Sequence, residues 1–135
     1  IHFSFPIFAG YYEHAVLAYK RLLGNCLARL LPEPLLQVEN MPSFGQATLT
    51  ARDNLCLVHL LTYVPELRGK KIQVIEEPVV VSGVGVALRV DEREVSCAYL
   101  APGRQPLALQ REGRYVRVTI PEVVGYQMIV FELAS

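Results

Sequence analysis

Pro32 and Pro34 mark the point at which the chain changes its hydrophobic period, and any fold it adopts must honour that boundary. Proline ends helices and biases the residue before it towards extended backbone. Before the boundary, Ala15, Val16, Tyr19, Leu22, Leu23, Cys26, Leu27 and Leu30 recur at spacings of three and four. Lys20, Arg21, Asn25 and Arg29 fall on the other side. This pattern predicts one amphipathic helix over Tyr11–Leu31, with an apolar stripe that must be covered. Glu13 near its start and Arg29 near its end complement the helix dipole. Ahead of the helix, Ile1–Phe5 reads as a short apolar strand, and 6–10 as a connection.

After the boundary the period becomes that of strands. Phe44–Thr50 and Leu55–Tyr63 flank a turn-like cluster at Ala51-Arg52-Asp53-Asn54. Further strands are expected at Ile72–Ile75, Val84–Val90, Val95–Leu100, Leu107–Leu109, Tyr115–Ile120 and Gln127–Leu133. They are separated by polar, Gly- and Pro-bearing stretches such as 91–94, 102–106, 110–114 and Pro121-Glu122. Short strands with turns at roughly ten-residue intervals indicate an antiparallel sandwich or barrel. Tyr115, Arg117 and Thr119 alternate with Val116, Val118 and Ile120, so one face of that strand is dry. Leu55–Leu61 is apolar on both sides apart from His59, as for a central strand covered twice. The fold class expected is α+β, mainly β: an N-terminal strand and amphipathic helix packed on an antiparallel β-sandwich of about eight strands.

At 135 residues and 52% hydrophobic, the chain can bury a core without disulfides or a structural metal. Thirteen basic residues cancel thirteen acidic ones, so no field gathers nucleic acid or anionic lipid. No stretch approaches the roughly 20 apolar residues of a membrane helix. The first residues, Ile1-His2-Phe3, carry neither an initiator Met nor a charged leader, and read as the start of a piece cut from a longer polypeptide. Cys26, Cys56 and Cys97 are odd in number and widely spaced, which fits buried free thiols in a cytoplasmic protein better than disulfides or a metal site.

Chemistry-bearing patterns are sparse. The adjacent pair Glu76-Glu77 would point to opposite faces of a strand and cannot act together across a cleft. Asp91, Glu92 and Glu94 sit at a hairpin tip, and Val64–Lys71 reads as a basic solvated loop. The sequence holds no G-x-S-x-G elbow, Walker loop or H-E-x-x-H motif. Ser82-Gly83-Val84-Gly85 lacks the third glycine and following helix of a dinucleotide fingerprint and reads as a turn or bulge entering a strand. His2, His14 and His59 show no ligand spacing, and His59 reads as a hydrogen-bonded polar residue of the core. Tyr11, Tyr12, Tyr63, Tyr99, Tyr115 and Tyr126 could form a sugar platform, though tyrosine also suits sheet faces.

The run Val58-His59-Leu60-Leu61-Thr62-Tyr63-Val64-Pro65-Glu66-Leu67-Arg68-Gly69, followed by Ile72-Gln73-Val74-Ile75-Glu76-Glu77, resembles the C-terminal region of glycoside hydrolase-like proteins related to β-galactosidases with a trimerisation domain. Val118–Glu132 looks like that family's closing strands. Pro6-Ile7-Phe8-Ala9-Gly10-Tyr11-Tyr12-Glu13-His14 is similar to the segment where the trimerisation domain hands over to the last domain. The resemblance implies a parent with a catalytic (β/α)₈ barrel, a flavodoxin-like trimerisation domain and a small C-terminal β domain. Residues 1–33 would end the middle domain and 34–135 would be the last. The family's catalytic acid and nucleophile lie on barrel strands and match no position here, so the resemblance implies no catalytic residue and no cofactor for this chain. The expected role is structural, with Leu22, Leu23, Leu27 and Leu30 as the docking surface. The expected partners are the preceding domains of the same polypeptide and other copies in a homo-oligomer. The alternative is a carbohydrate-binding module. A third reading, an autonomous small hydrolase, needs two convergent carboxylates that the pattern does not supply.

Overall fold

The computed structural model describes residues 1–134. The chain divides into two compact units, Ile1–Pro34 and a second that begins at Leu35. No helix among the described residues is long and apolar enough to cross a membrane.

The first unit is a pair of helices, α1 (Ile7–His14) and α2 (Leu17–Leu30). The single helix expected over 11–31 is broken at Ala15, which adopts the left-handed conformation at φ 50° and returns its N–H to the Tyr11 carbonyl at 2.8 Å. A continuous helix would set Gly10 and Tyr19 about 13 Å apart along its axis. The break instead folds Tyr19 back so closely that a Cβ on Gly10 would lie 2.8 Å from its ring. Tertiary contact here overrides a locally helical sequence. Ile1–Phe5 is not the expected strand, because it has no partner edge to bond to within the unit. It is anchored by aromatics instead: the Phe5 ring lies 5.4 Å from Tyr19 and 6.0 Å from Phe3.

The second unit is an antiparallel β-sandwich, in accord with the expected fold class. Its strands are β1 (Leu36–Glu39), β2 (Gln46–Arg52), β3 (Leu55–Leu61), β4 (Glu66–Arg68), β5 (Ile72–Val74) and β6 (Val80–Arg89). They continue with β7 (Val95–Ala101), β8 (Gln105–Leu107), β9 (Gln110–Glu112), β10 (Tyr115–Val124) and β11 (Tyr126–Leu133). One sheet runs in the order β1-β6-β10-β9, the other β2-β3-β11-β7-β8, and β4-β5 form a separate ribbon. The sequence expectation missed β1 and β4. A strand expected at 107–109 is replaced by the short β8 and β9 on either side, which belong to different sheets.

Alternation puts Val84, Val86 and Leu88 of β6, with Val90 just past its end, and Val116, Val118 and Ile120 of β10 against Val58 and Leu60 of β3 and Ile129 and Phe131 of β11. All are essentially dry, and branched aliphatics dominate because they fill a pleated surface well. Pro121, expected in a connection, lies inside β10. The strand tolerates it because β9 pairs only with Tyr115–Arg117, leaving β10 an edge beyond that point. Opposite Pro121 sits Gly83 at φ 65°. The buried position shifts from Ile120 to Val123 instead of falling on Glu122.

The chain passes from one sheet to the other in a single residue, Gly125, between β10 and β11. Its φ of 72° needs a residue without a Cβ, and a Cβ there would lie 2.5 Å from the Tyr63 ring. Buried Thr62 holds the corner. Its hydroxyl donates to the Val79 carbonyl and accepts from the Gly125 N–H, each at 3.0 Å, while its own N–H donates to the Gly125 carbonyl at 2.7 Å.

Two glycines therefore respond oppositely to alanine. Gly125→Ala should cost the sandwich at least about 2 kcal/mol through left-handed strain and displacement of Tyr63. Gly24, exposed inside α2 with open space around its Cβ position, should gain about 0.5–1 kcal/mol as Gly24→Ala. Urea unfolding followed by circular dichroism and tyrosine fluorescence measures both, and a stable Gly125→Ala protein would contradict the corner geometry.

Candidate functional site

In the helical unit only Ile7 is buried, and α2 buries none of its residues. Of the four leucines expected to dock, Leu23 lines a shallow groove of about 130 Å³ together with Ile7, Phe8, Tyr11 and Tyr19. Leu22, Leu27 and Leu30 stand 40%, 55% and 64% exposed. Phe8 and Tyr12 of α1 add to this apolar surface, and Tyr12 is 91% exposed. The sequence reading missed α1 because Pro6 at its start and Gly10 within it disguise its period. Single exposed apolar residues are ordinary, whereas this small unit leaves Phe8, Tyr12, Leu22, Leu27 and Leu30 exposed together.

Several carboxylates of the sandwich are engaged in ion pairs. On the outer face of the first sheet, Gly85 and Ala87 form a flat floor over which the Arg117 guanidinium lies. Arg117 donates to both carboxylate oxygens of Glu39, at 2.7 and 3.1 Å, and to Glu112 at 3.1 Å. This staple spans β1, β6, β10 and β9. Glu66 and Glu76 share Arg68 at 2.8 and 2.7 Å, and Asp91 pairs with Arg114 at 2.5 Å. Glu76 and Glu77 lie past the end of β5, and Glu76 is turned to Arg68 rather than towards a cleft. Among the described residues no group of three or more His, Cys, Asp or Glu could hold a metal ion.

The outer face of the second sheet carries two polar clusters. His59 is half-buried on this face, not inside the core where the sequence had placed it, because its position alternates with the buried Val58 and Leu60. Its Nδ1 lies 2.8 Å from the Tyr126 hydroxyl and its Nε2 3.5 Å from Thr50 Oγ1. The two rings stack 6.1 Å apart at 25°. Further along, Arg104 lies 4.9 Å over the Tyr99 ring and donates to the Tyr99 hydroxyl at 3.3 Å and to Glu132 at 3.4 Å. Cys97 shares a cleft of about 260 Å³ with these residues. Desolvation first, then a hydrogen bond to Glu132 and its charge, push the Cys97 thiol above its usual range, against the pull of Arg104. A nucleophilic thiolate needs the opposite shift. Cys26, Cys56 and Cys97 are all free, and Cys97 is exposed rather than buried.

No protein-family model and no curated protein sequence matches the chain. Among solved structures it is similar to α-L-fucosidase isoenzyme 2 from Paenibacillus thiaminolyticus, with 29% identity and a TM-score of 0.88. That match covers 96% of this chain, so it extends over most of both units, but only 20% of the fucosidase chain. A cycloisomaltooligosaccharide glucanotransferase from Paenibacillus sp. shares the fold, at 17% identity and a TM-score of 0.54 over 71% of this chain and 16% of that one. The chain thus spans about a fifth of the length of the fucosidase it resembles, and its structural neighbours are glycoside-processing enzymes.

The raised Cys97 pKa gives a signed expectation. Alkylation of Cys97 should reach half its maximal rate at a higher pH than that of an ordinary exposed thiol. Glu132→Gln should move the profile down, and Arg104→Gln should move it up. Mass-spectrometric peptide mapping across pH reads the shift, and an unmoved Glu132→Gln profile would count against the geometry.

Proposed function

We propose that this chain is an accessory, non-catalytic domain of a larger glycoside-processing enzyme, with a structural role in holding neighbouring domains or copies together. The observation that carries this reading is the fucosidase match, which takes in nearly all of this chain and a fifth of that one. The site chemistry agrees. Arg117 pairs with Glu39 and Glu112 and Arg68 with Glu66 and Glu76, and desolvation pushes the Cys97 thiol up, opposite to the shift a nucleophilic thiolate needs. In this reading the helical unit is the end of a preceding trimerisation-type domain, as in the β-galactosidase-like proteins the sequence resembles, and the sandwich closes the polypeptide.

The exposed leucines of α2 supply the docking surface. Fully burying one leucine side chain contributes about 1.5–3 kcal/mol, so three of them, with Tyr12 and Phe8, can hold an interface whose loss is measurable. The unpaired thiols fit a reducing, cytoplasmic setting.

The test uses the full polypeptide that contains this chain. Leu27→Asp would place a charge in the apolar interface and should reduce assembly at least tenfold, seen as altered mass by light scattering or as a lower melting temperature. Leu27→Met, of similar volume, should leave both unchanged. A Leu27→Asp protein with normal mass and melting temperature would overturn the docking role.

A further inference from the structure

Beyond Arg117, β10 loses its neighbour β9 while staying paired with β6 on its other edge as far as Val124. The free edge left there faces the β7–β8 hairpin, and between them opens a cleft of about 350 Å³ lined by Leu100, Gln105, Pro121, Glu122, Tyr126 and Gln127. That volume is at the small end of ligand sites, which run from roughly 300 to 1,000 Å³. We propose that this cleft is a binding site for a neutral saccharide unit, with the Tyr126 ring as its platform.

Four observations converge. Tyr126 is 44% exposed, yet its ring is not free to turn, since its hydroxyl is tied to His59 at 2.8 Å and His59 stacks alongside it. A held aromatic ring loses little entropy when a ligand lies on it. Gln127 spends its amide N–H groups on the Ala101 and Met128 carbonyls, at 2.9 and 3.1 Å, which fixes the side chain and leaves its amide oxygen to accept. Glu122 is exposed on the cleft wall, and its carboxylate oxygens can accept as well. Gln105, opposite Leu100 across the β7–β8 ladder, can donate and accept. The cleft therefore offers an apolar ring beside a rim dominated by acceptors. A pyranose supplies the complement, with C–H groups on one face and hydroxyl donors round its edge. No Lys or Arg lines the cleft, and Glu122 repels anions, so the site favours a neutral sugar over an acidic one.

The choice of saccharide probes rests on the glycoside-processing reading above, whereas the cleft geometry does not. The experiment titrates the protein with methyl α-L-fucopyranoside and with isomaltotriose, following the side-chain amide resonances of Gln105 and Gln127 by NMR. Saturable shifts with at least one probe, with a dissociation constant of about 1 mM or below, are expected. Tyr126→Ala should weaken binding at least tenfold, and Glu122→Gln, an exposed change that leaves the fold intact, several-fold. Tyr126→Phe keeps the ring but loses its tie to His59, and should bind more weakly than the unaltered protein and more tightly than Tyr126→Ala. Glucuronate should bind more weakly than either neutral probe. The proposal is overturned if neither neutral sugar gives a saturable shift, if Tyr126→Ala and Glu122→Gln bind as the unaltered protein does, or if glucuronate binds tightest. Sugar binding that fails while Leu27→Asp still disrupts assembly overturns this site alone. Sugar binding that persists when Leu27→Asp leaves assembly normal supports the site without the docking role.

Discussion

The structure of the second unit depends on how the chain turns from one sheet to the other at Gly125. A single residue makes the crossing, so β10 and β11 must end and begin in fixed register, with no slack to absorb a slip. Thr62 enforces this by bonding to the Gly125 N–H and carbonyl and to Val79 from a fully buried position, where an unmade hydrogen bond would be costly. Tyr63 closes the corner over the glycine. Because side chains alternate along strands, a one-residue slip would turn Ile129 and Phe131 out of the core and Val130 into it.

The same corner places the polar features. With Ile129 and Phe131 inward, Tyr126, Met128, Val130 and Glu132 must face outward, which sets Tyr126 beside His59 and Glu132 near Arg104. On the other sheet the inward run of β6 obliges Gly85, Ala87 and Arg89 to face out. The small residues at 85 and 87 give the Arg117 side chain room to lie flat and reach Glu39 two strands away. The ion pairs are partly exposed and add little stability singly, but they occupy Glu39, Glu112, Glu66 and Glu76. The core is thus made by apolar alternation, and the outer faces take whatever polar partners that alternation leaves.

Much of the sandwich was legible because β2, β3, β6, β7, β10 and β11 are long enough for alternation to rise above noise. The strand at Tyr115–Ile120 was readable residue by residue. The short strands β1, β8 and β9 hold three or four residues each and exist only because a longer neighbour offers a hydrogen-bonding edge, and β4 exists only by pairing with the equally short β5, facts absent from their own composition. Pro121 shows the same limit. Proline announces a break, and only the early end of β9 makes the position an edge where the strand can run on. His59 was singled out correctly as hydrogen-bonded, but its side of the sheet depends on Tyr126, 67 residues away.

In the helical unit the amphipathic stripe from Tyr19 to Leu30 was evident from spacing, since helical periodicity is a local property. The bend at Ala15 was not, because it follows from Tyr19 closing on Gly10 and from Phe5 packing on Tyr19. By itself, then, the amino-acid sequence determined a helical opening, a proline boundary at 32–34 and a mainly β remainder, because periodicity and backbone restriction act between near neighbours. The tertiary structure decided the split of the helix, the sheet to which each short strand belongs, the side on which His59 and Tyr126 meet and the cleft beyond β9. Each of these depends on groups far apart in the chain meeting at distances of a few ångströms.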